Sequence, residues 1–230
     1  MAASAIITGG TGGLGAAVTR AFLDGGWRVV VPVYDEAERE RVPDHERLVL
    51  EAADLFDPAS AAAVVDVAAR AQATPLRAVV NLVGGFAAGE RVHATPIEDF
   101  EAQLRLNLRP TYLVCQAALG HLQAAGGGAI VCVSSRAALR PFAGAAGYVV
   151  GKAAVLAFVD ALAEEYRRDD IRVNAILPSV IDTPANRRSM PDADHSRWVA
   201  PEQIAAVVRF LCEEGSEAIS GAHVPVYGRA

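Results

Sequence analysis

The sequence predicts a single-domain, doubly wound α/β fold: a Rossmann-type parallel sheet of about seven strands with helices on both faces. Three observations predict it. Short runs rich in Val and Ile, apolar on both faces, alternate with segments of helical period along the whole chain. A glycine-rich turn stands between the first such run and the first helical segment. The chain has 230 residues, is 52% hydrophobic and only 21% charged, and shows no repeat or linker, so residues 1–230 form one core.

The strands are expected at 5–8, 28–33, 48–51, 78–81, 129–134, 172–176 and 222–226. The helices are expected at 13–25, 58–72, 96–125, 146–168 and 201–212. Pro58, Pro96 and Pro201 stand near first helical positions, where a missing N–H costs nothing. Gly25-Gly26 closes the first helix. Residues 184–200 are polar and poorly periodic, which predicts a mobile loop able to close over a pocket.

Bulk properties exclude several function classes. A net charge of -6 argues against non-specific nucleic-acid binding and against anionic membrane surfaces. No apolar run is expected to reach the length of a membrane span, and the first residues lack the basic n-region of a signal peptide. Cys115, Cys132 and Cys212 are odd in number and set in apolar runs, which predicts buried thiols in a reducing cytoplasm. None has metal-ligand spacing. His195 in Asp192-Ala193-Asp194-His195 reads as part of a solvated loop, so no metal site is expected.

Lys152 is the single lysine of a chain with twenty arginines, and it follows Tyr148 by four residues. On a helix that spacing puts both on one face. An ammonium is a compact point charge where a guanidinium is a wide fork, so this position reads as one that rejects Arg. A cation beside a phenol lowers its pKa and makes it usable as an acid or base. Ser134-Ser135 ends a strand thirteen residues earlier, where a Ser can donate to a carbonyl oxygen as charge develops. Ser135 alone reads equally well as a cap. Asn107 interrupts an apolar helical run, and a polar amide there is often a satisfied core group. Upstream, Gly9-Gly10-Thr11-Gly12-Gly13-Leu14-Gly15 lets the backbone approach a pyrophosphate while the following helix presents free N–H groups.

Taken together these residues resemble the short-chain dehydrogenase/reductase family over essentially the full chain. Thr8-Gly9 through Gly15 is similar to its Thr-Gly-x-x-x-Gly-x-Gly turn, and Asn81-Leu82-Val83-Gly84 to its Asn-Asn-Ala-Gly. Asn107, Ser135, Tyr148 and Lys152 match its catalytic tetrad in order and spacing. Arg172 to Pro178 with Ile181 and Thr183 resembles the segment that holds the nicotinamide, and Ser220-Gly221 with Val224 to Gly228 resembles the closing strand. The resemblance implies an NAD(P)(H)-dependent enzyme that interconverts a carbonyl and an alcohol. Tyr148 would move the proton, Ser135 polarise the carbonyl, Lys152 lower the Tyr pKa and hold a ribose, and Asn107 keep a relay water. Cofactor contacts would come from Gly9, Thr11, Gly13, Leu14, Asp35, Asp54, Leu55, Asn81, Gly84, Tyr148, Lys152, Pro178, Ile181 and Thr183. Helices 96–125 and 146–168 would build a homo-oligomer, a tetramer or dimer.

Departures from the pattern bear on the cofactor. The ribose-reading acid of the family falls on Val33, and Asp35 is the next carboxylate. Gly12 and Tyr34 stand where NADP users often carry basic residues. The reading therefore leans to NAD over NADP, with Arg39 and Arg41 as the alternative partners of a 2′-phosphate. Ser179 replaces the Gly usual after Pro178. The substrate, a small carbonyl or alcohol, would meet Phe86, Arg136, Phe142 and Val180. A 3-oxoacyl-carrier-protein reductase, a pteridine-type reductase and a non-catalytic dinucleotide sensor are the competing readings.

Overall fold

The computed structural model describes residues 3–229. Seven strands form one parallel sheet: β1 (Ser4–Thr8), β2 (Arg28–Val33), β3 (Leu48–Ala52), β4 (Leu76–Asn81), β5 (Gly128–Val133), β6 (Ile171–Pro178) and β7 (His223–Val226). Their order is β3-β2-β1-β4-β5-β6-β7. The chain therefore begins in the middle, winds outward to β3, then crosses back and winds to β7. The reversal lies between β1 and β4. There Thr8 pairs with Asn81, and Asn81 with Cys132, so the ends of three strands lie side by side.

Six α-helices connect them: α1 (Gly15–Asp24), α2 (Pro58–Ala69), α3 (Ile97–Ala124), α4 (Ala146–Glu165), α5 (Pro184–Ser189) and α6 (Pro201–Cys212). Alternate strand residues point to opposite faces, and the core accordingly divides in two. Ile6, Val30, Val79, Ile130 and Val173 pack with α2, α3 and α4. Ala5, Ile7, Val29, Val31, Val80 and Val131 pack with α1 and α6 on the other face. This double coverage is why the strands read as continuous apolar runs.

Local chemistry sets the boundaries. Asp57 caps α2 by accepting from the Ser60 N–H at 2.8 Å, with Pro58 next in line. Gly26, with φ +84°, turns the chain from α1 into β2. Two expectations need correction. Residues 184–200 are not a plain loop: Thr183 caps α5 through the Asn186 N–H at 3.2 Å, and a 3₁₀-helical turn spans His195–Arg197. The run was too short and too polar to show a period. Likewise one helix, α4, is long and apolar enough to cross a membrane. Val155, Leu156, Val159 and Leu162 of this helix are buried in the core.

Candidate active site

Every strand delivers its C-terminal end to one edge of the sheet, and the chemistry-bearing residues collect there. At the first strand end, Gly9 takes φ +65°, a conformation side-chain-bearing residues rarely adopt, and the chain turns into α1. A Cβ on Gly15 would run into the Gly9 carbonyl, so helix and turn pack backbone to backbone. The Gly12 N–H donates to Gly9 O at 3.0 Å, whereas the N–H groups of Gly13 and Leu14 have no acceptor among the described residues. Such free donors at the start of a helix form an anion cradle. Thr183 stands over it, with its Cγ2 2.9 Å from where a Gly13 Cβ would lie. The turn and the segment after β6, 170 residues apart in sequence, thus face one another.

The second wall is the loop after β4. Asn107 is fully buried in α3, and both of its amide hydrogens are donated, at 3.0 Å each, to Gly85 O and Gln103 O. Its Oδ1 accepts from the Gly85 N–H at 3.2 Å. Asn107 therefore ties the loop to the helix and has one acceptor lone pair left over. A Cβ on Gly84 would lie 2.6 Å from Asn107 Oδ1 and 2.9 Å from Lys152 Nζ. Gly84 is what lets those two groups come together.

Tyr148 and Lys152 stand one turn apart in α4. Lys152 is 5% exposed, and its Nζ donates to the Val133 carbonyl at the end of β5 at 2.9 Å. Burial pushes its pKa from 10.5 down to about 8. Ser134 locks the same junction from the other side, its Oγ donating to Lys152 O at 2.8 Å. That clamp role was not legible in the Ser-Ser pair. The expectation that Lys152 depresses the Tyr148 pKa is corrected here. Burial raises the phenol pKa, hydrogen bonding with Ser135 opposes the rise, and the ammonium is turned toward β5. Ser135 also accepts from the Ala137 N–H at 3.1 Å, so its reading as a cap is realised.

At the mouth, the Phe86 ring meets Tyr148 edge-on with centroids 5.0 Å apart and lies 6.2 Å from Phe142. Phe86 is 64% exposed and Phe142 50%, an aromatic surface open to a ligand. Arg136 stacks over Tyr227 at 5.2 Å. Val180 and Ile181 lie in the segment after β6, where Ile181 bridges to Val199. Pro178 ends β6, buried. Ser179 avoids positive φ, and its Oγ donates to Tyr227 O at 2.7 Å.

The remaining sequence-predicted residues divide. Leu55 is a core residue, and Asp54 accepts from the Phe56 N–H at 2.8 Å in the turn beside it. Asp35 caps the 3₁₀-helical turn Glu36–Arg41 by accepting from the Ala37 N–H at 3.0 Å. Asn81 Nδ2 approaches the thiols of Cys115 at 3.2 Å and Cys132 at 3.7 Å, while its Oδ1 is buried without a partner. Among the described residues no cluster of metal-ligating side chains occurs. A cleft of about 1010 Å³ lies at the opposite edge of the sheet, lined by Trp27, Arg77, Arg172 and Glu213. Two of its arginines tie backbone segments together: Arg77 donates to Ala125 O at 2.6 Å and Arg172 to Leu211 O at 2.7 Å.

Fold and site together define a doubly wound α/β protein with Tyr148 and Lys152 one helical turn apart and a glycine-rich turn after its first strand. The chain belongs to the short chain dehydrogenase family, whose pattern it matches over residues 3–194. It is 33% identical to Protein FixR of Bradyrhizobium diazoefficiens, over 97% of this chain and 84% of that one. It is 32% identical to the 4-formylbenzenesulfonate dehydrogenase TsaC1/TsaC2 of Comamonas testosteroni, over 97% and 96%. It is 30% identical to the 2-(R)-hydroxypropyl-CoM dehydrogenase of Xanthobacter autotrophicus, over 99% and 98%. Among solved structures, a 3-ketoacyl-(acyl-carrier-protein) reductase from Brucella melitensis complexed with NADH superposes with a TM-score of 0.87 at 29% identity, covering 99% of this chain and 98% of that one. The protein is an enzyme of the oxidoreductase class.

Proposed function

We propose that this enzyme interconverts a small carbonyl compound and its alcohol with a nicotinamide dinucleotide, with Tyr148 as the acid and base. The observation that carries the reading is the buried Lys152 one helical turn from Tyr148, both at the sheet edge that holds the anion cradle. The residues fit the cofactor. Gly13 and Leu14 offer free N–H groups to a pyrophosphate, Gly84 leaves space beside Lys152, and Asn81 Oδ1 is a buried acceptor without a donor. When bound, the cofactor supplies or accepts the hydride.

The chain's own residues handle the proton and the charge. Ser135 donates to the carbonyl oxygen and polarises it. Tyr148, a phenol protonated at neutral pH, donates its proton to that oxygen in the reducing direction. Lys152 is held in place by Val133 O and Ser134, and it would hold a ribose hydroxyl of the bound cofactor. Asn107 fixes the loop that carries Gly84 and Phe86.

Phe86 and Phe142 favour an aromatic or otherwise apolar carbonyl compound, and a relative named for an aromatic aldehyde supports that class. The outer face of α3 and α4, where Tyr112 and Phe158 stack at 5.6 Å, is the surface for a second copy in a homo-oligomer. Three free buried cysteines favour a reducing cytoplasm. The test is turnover of a panel of aromatic and aliphatic aldehydes and ketones with NADH and NADPH, for wild type and Tyr148→Phe. Turnover by the wild type that is lost in a folded Tyr148→Phe is the expected result. Turnover surviving in that variant refutes the proton role.

A further inference from the structure

We propose that Arg136 binds a carboxylate on the substrate, so that the enzyme acts on carbonyl compounds that also carry an acidic group. This rests on the carbonyl–alcohol reading of the site and names the class of substrate it takes.

Among the described residues, Arg136 differs from every other arginine that is not exposed. Arg28, Arg39, Arg47, Arg77, Arg172 and Arg209 each donate to a backbone carbonyl. The half-buried Arg136 donates to no carbonyl, hydroxyl or carboxylate among the described residues and has no ion pair there. Its partner is the Tyr227 ring, whose centroid lies 5.2 Å from Cζ. A ring face attracts the charge but leaves N–H donors of the guanidinium unpaired. Taking such donors partly out of water without acceptors is unfavourable. A planar fork of parallel N–H groups matches the two oxygens of a carboxylate.

The place of the guanidinium selects the ligand. Arg136 follows Ser135, which hydrogen-bonds with Tyr148, and opens the 3₁₀-helical turn Arg136–Ala138. Tyr227 is anchored in turn, its carbonyl accepting from Ser179 Oγ at 2.7 Å, so the platform under Arg136 is fixed to the ends of β6 and β7. The Gly89 N–H donates to Gly144 O at 2.8 Å and ties the loop of Phe86 to the loop of Arg136 and Phe142. Aromatic surface and cation therefore stand on segments held to one another. The charge pattern points the same way. The chain carries a net charge of -6, yet residues 82–89, 134–145, 178–181 and 226–229, at the ends of β4, β5, β6 and β7, hold three arginines and no Asp or Glu. Of the carboxylates next to these segments, Glu90 is exposed and Asp182 is paired with Arg187. A cationic rim on an acidic protein draws an anion to that rim.

The experiment compares 4-formylbenzoate with 4-formylbenzamide, its uncharged isostere, as substrates for reduction with NADH and NADPH. The proteins are wild type, Arg136→Gln, Arg136→Lys and Arg140→Gln, with circular dichroism to confirm folding. In wild type, kcat/KM for the acid should exceed that for the amide by about tenfold or more. Arg136→Gln should collapse that ratio by about tenfold or more, through a raised KM for the acid rather than a lowered kcat. Arg136→Lys should retain part of it, because an ammonium keeps the charge and loses the fork. Arg140→Gln, which removes an exposed cation four residues on, should leave the ratio within about twofold. In wild type the KM for the acid should rise with salt while that for the amide stays level, a readout that needs no variant. A wild-type ratio at or below one, a ratio that survives Arg136→Gln, or an equal loss in Arg140→Gln overturns the assignment while leaving the carbonyl–alcohol reading intact. Reduction of neither compound with either dinucleotide overturns the assignment and the aromatic class together.

Discussion

Replacing Lys152 by Met should reverse its effect on stability between neutral and alkaline pH. Met is close to Lys in volume and carries no charge, so the packing survives while the buried ammonium disappears. The folded-state pKa is about 8 against an ordinary 10.5, because burial penalises the charged form. That difference corresponds to about 3 kcal/mol. Between about pH 8 and pH 10.5 the unfolded chain holds a proton on this lysine that the folded chain has released. Stability of the wild type therefore rises with pH across that window, and the penalty applies in full below it. Met removes the penalty but leaves the Val133 carbonyl without its donor, a loss of about 1–2 kcal/mol. At pH 7 the variant should be more stable than wild type by about 1 kcal/mol, and at pH 10.5 less stable by about 2 kcal/mol, from these two quantities. Urea unfolding of both proteins at half-unit steps from pH 7 to 10.5 measures the difference and cancels the other titrating groups. A difference that stays flat over that range would show that Lys152 is not desolvated, and the argument for a buried catalytic cation would fail. The same variant should have no turnover, which would show the site holding its charge at the expense of stability.

Two further outcomes follow from the same geometry. Lys152→Arg keeps the charge but adds two heavy atoms in a space bounded by Gly84, Asn107 and Val133 O, so turnover should fall roughly a hundredfold or more with the fold retained; steady-state rates above about half of wild type would refute the fit argument. Gly84→Ala should push Asn107 and Lys152 apart, since the new methyl meets them at 2.6 and 2.9 Å. The expected cost is about 1–3 kcal/mol in chemical unfolding and at least a tenfold loss of kcat, and an unchanged kcat would show that the two groups need not meet.

The sequence by itself determined the layered fold, because strands buried on both faces must be apolar throughout and helices between them must carry a period. It also determined the Tyr148–Lys152 pair and the glycine turn, since each depends on spacing within one element. The lone Lys among arginines was the clearest sign, and the burial of its ammonium supplies the reason. What only the tertiary structure decided are relations between distant segments. Ser134 as a clamp on α4, Asn107 as the tie to Gly85, and Thr183 above Gly13 each join residues that the chain order keeps apart. The direction of the Lys152 side chain, toward Val133 rather than the phenol, belongs to the same class. Asp35 shows the limit most clearly. Its Oδ1 accepts the Ala37 N–H in a local turn, and the fold brings Glu38 to Thr11 across 27 residues of chain. A side-chain acceptor bonds the donor that folding presents to it, and that donor is set by three-dimensional proximity, which spacing along the chain does not encode.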